Sequence, residues 1–263
     1  MRILAGGIVT HYTLDGPADA PVVTLSHSLA ASLEMWEPQL SALTRHFRVL
    51  RYDTRGHGGS EVPPGAYSLS MLAGDVRALL GALGIARTHF VGLSLGGMIG
   101  QTIALEHPEI LDRLVLADTA SRIPPETGPL WEERIANVER HGMAPRVEET
   151  IGRWFTAPFI AKSPGVVDDI RMLIRTTPPQ GFIGCSRAIQ GLNYTNRLGE
   201  IEAPTLIVVG ADDLGTPVAL SEVMRDRIPG SKLVVLESAA HLSNIEQAER
   251  FNEAITRFLA SAA

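Results

Sequence analysis

Apolar residues along the chain fall into two spacings. Short runs rich in Val, Ile and Leu occupy residues 22–25, 47–52, 89–91, 114–117, 205–209 and 233–236. They lack the polar alternation of half-exposed strands, as strands buried on both faces do. Longer stretches between them repeat at helical spacing. In 71–83, Leu72, Val76, Leu79, Leu80 and Leu83 form one stripe; in 247–259, Phe251, Ile255 and Phe258 do the same. Residues 98–106 read as a further helix after a glycine-rich turn. Strands alternating with helices pair in parallel, because a parallel connection requires a crossover. The pattern predicts an α/β fold: a mostly parallel sheet with helices on both faces.

Residues 122–196 break this rhythm. They contain no convincing strand and nearly half of the 17 prolines, with short amphipathic helices at 130–140 and 166–176. A proline-broken stretch of about 75 residues would make a weak core alone. The expected organisation is therefore a core built from 1–121 and 197–263, with 122–196 as a helical cap insertion.

Composition narrows the class. The 263 residues are 45% hydrophobic, enough for a full core and too many for intrinsic disorder. Lys and Arg number 23 against 29 Asp and Glu, a formal net charge of −6, which argues against a nucleic-acid partner. Cys185 is the only cysteine, so no intrachain disulfide or multi-cysteine metal site can form. Residues 1–15 carry one Arg and no long apolar run, so they do not read as a signal peptide. No run approaches about 18 apolar residues, so no membrane span is expected. The expectation is a soluble cytoplasmic protein; a homo-oligomer is compatible with the sequence.

The strongest chemical signal is Gly92-Leu93-Ser94-Leu95-Gly96, a G-x-S-x-G motif between a strand and a helix. That setting lifts Ser94 above the sheet on a sharp turn. Gly92 and Gly96 leave room for strand and helix to approach, and the helix N-terminus offers N–H groups to a developing oxyanion. A serine hydroxyl is a weak nucleophile and needs a base oriented by an acid. Of the eight histidines, His241 alone lies well downstream in a suitable loop, after 233–236 and before the last helix. Asp213 is the preferred acid over Asp212. It closes the strand 205–209 within a G-x-x-D-x-x-x-P run from Gly210 to Pro217, and Asp118 is the fallback. The backbone N–H of Leu29, in the loop after 22–25, pairs with that of Leu95 as the expected oxyanion hole. His27 is expected to hold that loop by hydrogen bonds without taking part in chemistry. No H-E-x-x-H, G-x-G-x-x-G helix start or P-loop occurs, so neither a metal site nor a nucleotide site is expected.

Ser94, Asp213 and His241 in this order, with the helical insertion, resemble the α/β-hydrolase superfamily. Asp53-Thr54-Arg55-Gly56-His57-Gly58-Gly59-Ser60 is similar to its D-x-R-G-x-G-x-S turn, whose implied role is to tie loops together. The segments around Ser94, Asp118-Thr119-Ala120-Ser121-Arg122-Ile123, Trp131-Glu132-Glu133-Arg134-Ile135 and Ala239-Ala240-His241-Leu242-Ser243-Asn244 more narrowly resemble 3-oxoadipate enol-lactonases. Ser26-His27-Ser28-Leu29-Ala30 is also similar, with His27 where that family has Asn. The resemblance implies an α/β-hydrolase fold and a cofactor-free serine hydrolase of aromatic-compound degradation. The enzyme would open a small anionic lactone to 3-oxoadipate. An acidic protein then needs a local cation for the substrate's acetate. Arg134, with Trp131 on the same helix face, is the first candidate; Trp154 with Arg153 is the second, and Arg122 the third. Met98 and Met143 are candidate cavity walls. A carboxylesterase, perhydrolase or carbon–carbon bond hydrolase on the same triad is the alternative, and a ligand sensor that kept the triad is the reading from another class.

Overall fold

The computed structural model describes residues 1–261. Its strands are β1 (Arg2–Ala5), β2 (Ile8–Asp15), β3 (Val22–Ser26), β4 (Arg48–Tyr52), β5 (Thr88–Leu93), β6 (Leu111–Ala117), β7 (Thr205–Gly210) and β8 (Lys232–Leu236). They form one sheet in the order β1-β2-β4-β3-β5-β6-β7-β8. From β4 to β8 every pairing is parallel, while β2 runs antiparallel to both β1 and β4.

The first two strands are absent from the six apolar runs of the sequence, and the reason is physical. They form a hairpin at one end of the sheet, through Gly6 and Gly7 at φ +59° and +82°. In β2, Ile8, Thr10 and Tyr12 are buried while the residues between them are not. Period-2 alternation of β-branched and aromatic residues after a Gly-Gly turn was the available signal.

Neighbouring residues of the central strands enter opposite cores, as a strand's alternating side chains require. Leu25, Val91, Val115 and Val208 join Trp36, Phe251 and Ile255 on one face. Phe90, Leu114 and Ile207 join Leu72, Val76 and Ile99 on the other. The first face is covered by α1 (Glu37–Leu43) and a C-terminal helix (Ala248–Leu259). The second is covered by α2 (Leu69–Ala82), α3 (Leu95–Glu106) and a helix over Val218–Arg227.

Between β6 and β7 the chain is helical: α4 (Gly128–His141), α5 (Val147–Trp154), α6 (Ala157–Lys162), α7 (Pro164–Thr176) and α8 (Pro179–Gln190). The helices after β7 are α9 (Val218–Arg227), α10 (Ser243–Glu246) and α11 (Ala248–Leu259). Prolines stand in the first turn of α4, α6, α7 and α8, where their missing N–H breaks no helical hydrogen bond. The buried side chains of this segment do not form a core of their own. Val138, Ile151, Trp154 and Ile174 join the first cluster, and Cys185, Ala188 and Ile189 join the second. No helix among the described residues is long and apolar enough to cross a membrane.

Two features fix the top of the sheet. The turn after β4 is tied by Asp53, whose Oδ1 accepts the Leu33 N–H at 2.7 Å. Its Oδ2 accepts the Gly59 N–H at 2.8 Å and lies 2.7 Å from His11 Nδ1. Arg55 in the same turn forms a two-point pair with Asp75 of α2. The β5–α3 turn is held by contact: a Cβ at Gly92 would lie 2.1 Å from Gly96 O, and one at Gly96 would lie 2.0 Å from Ser26 O.

These approaches leave no room for a methyl group. Gly96→Ala should destabilise the fold by about 1–3 kcal/mol in chemical denaturation. Gly128→Ala, where an added Cβ meets no heavy atom within 4 Å, should stay within about 0.5 kcal/mol of the parent.

Candidate active site

Ser94 sits between β5 and α3 with φ +56° and ψ −113°, a backbone shape that non-glycine residues rarely adopt. Hydrogen bonds on both sides hold it there. Its N–H donates to Ala117 O at 2.9 Å, and its carbonyl accepts the Thr119 hydroxyl at 2.7 Å and the Met98 N–H at 3.1 Å. The turn leaves Ser94 half-buried at the wall of a cavity of about 130 Å³ that His241 also lines.

Asp213 and His241 come from the loops after β7 and β8. Gly210 lets those loops meet, since a Cβ there would lie 2.3 Å from Ala240 O and 2.4 Å from Ala239 O. The Asp212 N–H donates to Ala239 O, fastening one loop to the other. Asp213 Oδ2 then lies 2.8 Å from His241 Nδ1. The same carboxylate accepts the Gly215 and Thr216 N–H groups on Oδ1, at 2.7 and 3.0 Å, and the Thr216 hydroxyl on Oδ2 at 2.6 Å. Burial alone would raise the Asp213 pKa. The His241 charge and the hydrogen bonds from His241 and Thr216 outweigh it and hold the carboxyl below its ordinary value. Burial likewise opposes charge on His241, and Asp213's charge and hydrogen bond overcome it, so the imidazole pKa is raised. A carboxylate can only accept from Nδ1–H, so Nε2 carries the lone pair and is able to take a proton.

The other two carboxylates considered for this role lie elsewhere. Asp212 is exposed. Asp118 is buried at φ +43°, but its Oδ1 accepts the Gly210 N–H at 2.8 Å and its Oδ2 the Ser243 hydroxyl. Burial, with Asp213 beside it, raises its pKa well above the ordinary aspartate value. Asp118 braces the base of the Asp213 loop and makes no hydrogen bond to His241. Thr216 and Ser243, which support the two aspartates, were missed in the sequence. Thr216 lies inside the Gly210–Pro217 run, where a hydroxyl three residues after an aspartate signals a turn.

Ser28, Leu29 and Ala30 line the cavity beside Ser94. Ala30 has φ +62°. The Leu29 N–H has no acceptor within the described residues, nor does that of Leu95 in the first turn of α3. These are the two N–H groups expected from the sequence: Leu95 follows Ser94 directly in the chain, and Leu29 lines the same cavity as Ser94. His27 and His57 lie behind the loop, buried, with ring centroids 5.3 Å apart. Burial lowers the pKa of both, that of His57 to about 3, with His27 adding to the effect.

The remaining wall comes largely from α4, α5 and α8. Met98, Trp131, Trp154 and Phe182 are its apolar part; Arg134, Arg146 and Arg153 are its cations. Arg134 stacks over the Trp131 ring, 5.2 Å from its centroid. Burial, then Arg153 and Arg146 nearby, push the Arg134 pKa down to about 10. Arg146 is paired with Glu149. Neither Arg134 nor Arg153 has a carboxylate partner among the described residues, and the buried Nε of Arg134 has no hydrogen-bond partner at all. Two expectations need correction. Arg122 is exposed and lines a different surface cleft, because its backbone bridges to Asn193 outside the cavity. Met143 is buried core rather than cavity wall. Arg146 was not foreseen: it follows Pro145 in a short connector without helical periodicity.

Residues 21–248 match the family model described as the alpha/beta hydrolase fold. Over 253 residues the chain is 35% identical to 3-oxoadipate enol-lactonase 2 of Acinetobacter baylyi, covering 96% of this chain and 94% of that protein. It is 34% identical to RutD of Agrobacterium fabrum, proposed as a carbamate hydrolase, over 95% of this chain and 97% of that one. The crystal structure of the enol-lactonase from Burkholderia xenovorans LB400 superposes with a TM-score of 0.96 at 38% identity, covering 99% of this chain and 100% of that chain. The chain is a hydrolase belonging to the α/β-hydrolase fold family.

Proposed function

We propose that this chain is a serine hydrolase that opens 3-oxoadipate enol-lactone, or a closely similar anionic lactone, to the open-chain keto acid. Ser94 Oγ attacks the lactone carbonyl while His241 Nε2 takes its proton, with Asp213 holding the imidazole and stabilising its cation. The Leu29 and Leu95 N–H groups receive the tetrahedral oxyanion. Collapse breaks the ring C–O bond, and the departing enol oxygen takes the proton from His241. The enol then becomes a ketone, which draws the ring opening forward. Water, activated by the same imidazole, releases the acid from Ser94. No step calls for a cofactor.

One observation carries the choice of substrate. Two guanidiniums without a carboxylate partner among the described residues, those of Arg134 and Arg153, line the cavity that holds Ser94 and His241. In a chain of net charge −6, such a site is built for an anion. Arg134 grips the substrate's acetate and Trp131 and Trp154 bound its apolar ring. The relatives named for enol-lactonase activity support the same choice. The match to RutD supports a second reading on the same triad, cleavage of a small carbamate. The lactone, a carbamate and neutral aryl esters therefore belong in one assay panel, and the lactone should have the highest kcat/KM.

Three outcomes follow from this reading. Ser94→Ala should lower kcat by at least about 10⁴-fold at unchanged stability, in steady-state assays with the lactone. Arg134→Ala should raise KM for the anionic lactone at least about tenfold and leave KM for a neutral ester nearly unchanged. Activity requires neutral His241, so it should fall as pH drops through the raised imidazole pKa. The acidic limb of kcat/KM should therefore lie above about 6.5, the ordinary histidine value, and Asp213→Asn should move it.

A further inference from the structure

We propose that His27 is a positioning residue for the oxyanion hole: it holds the Ser28–Leu29 peptide plane so that the Leu29 N–H points at the reacting carbonyl. The inference rests on Leu29 being an oxyanion donor, as in the reading above. His27 Nε2 lies 2.9 Å from the Thr54 N–H, a donor, so Nε2 must accept. The ring proton therefore sits on Nδ1, which donates to Ser28 O at 2.7 Å. The Ala31 N–H donates to the same carbonyl at 3.2 Å.

Ser28 C=O and Leu29 N–H are the two edges of one peptide unit. The chain has no cis peptide bond among the described residues, so the two groups point in opposite directions. Fixing the carbonyl toward His27 fixes the N–H away from it. Ser28, Leu29 and Ala30 line the cavity, while His27 is completely buried. The Leu29 N–H is left without an acceptor among the described residues. The next amide is held separately, with the Ala30 N–H donating to His57 Nε2 at 3.1 Å. Without the imidazole donor the Ser28 carbonyl keeps only the longer bond from Ala31 N–H, so the 28–29 plane is held less tightly about its flanking dihedrals and the oxyanion donor loses its aim. A donor pre-set in this way assists the transition state and hardly touches ground-state binding.

The test uses p-nitrophenyl acetate as substrate, phenylboronic acid as a tetrahedral mimic, and Tm as a fold check. His27→Ala should lower kcat about 10–100-fold, with KM within about twofold and phenylboronic acid binding weakened in parallel. His27→Asn should recover most of the loss, because its amide donates from the position of Nδ1. His27→Gln, with its donor displaced to the position of Nε2, should not, and this contrast decides the matter even if the alanine variant fails to fold. Unchanged kcat in folded His27→Ala or His27→Gln overturns the proposal. So do equal losses in the Asn and Gln variants, or a loss that appears only in KM. Full turnover by Ser94→Ala would instead remove the underlying serine mechanism, whatever the His27 variants do.

Discussion

A carboxylate buried against an imidazole sets the terms for the rest of this molecule. Asp213 is 2% exposed and His241 7%. Burying either charge alone would be costly, and removing one partner of such a pair typically costs about 3–5 kcal/mol. The fold meets that demand by surrounding Asp213 with donors from Gly215, Thr216 and His241, and by fastening the two loops through Asp212 N–H and the close approach at Gly210. Asp118 and Ser243 brace the loops from below. The sheet order matters for the same reason. β5, β6, β7 and β8 are successive neighbours, so Ser94, Asp118, Asp213 and His241 all emerge at the same end of parallel strands, as ligand sites of open α/β sheets do.

Electrostatics separates the two sides of the cavity. On the sheet side, Asp213 and Asp118 favour a positive imidazole. On the helical side Arg134 is crowded by Arg146 and Arg153, and burial first and these two charges second depress its pKa. Such crowding is tolerable when an anion visits, and it supplies a local attraction that the acidic surface does not. Under the proposed function this division assigns separate work to the two parts: strand-end loops would carry the bond-making groups, and the segment between β6 and β7 the groups that choose the substrate.

The parts of this arrangement that follow from local sequence were legible in it. Central strands buried on both faces announce themselves as unbroken apolar runs, and G-x-S-x-G between strand and helix announces Ser94. The pairing of Asp213 with His241 was reachable because reading Ser94 as a nucleophile limits where a base and its acid could stand. What escaped was non-local or half-exposed. The β1–β2 hairpin has one exposed face and a different period. Thr216, Ser243 and Arg146 are ordinary polar residues until the loops or helices that carry them are folded together. Arg122 was overvalued for the converse reason, since a charge near the end of a core strand does not reveal which way its backbone turns. The imidazole of His27 reads as loop support in sequence; only the register of its two nitrogens against Thr54 and Ser28 reveals which peptide it orients.

Covalent labelling addresses the serine mechanism most directly. The protein would be treated with a fluorophosphonate and digested, and the modified residue located by mass spectrometry. The account predicts a single adduct on Ser94, with the labelling rate reduced at least about 10³-fold in His241→Gln because the hydroxyl has lost its base. An adduct on another residue, or equal labelling of Ser94 in the two proteins, would contradict it.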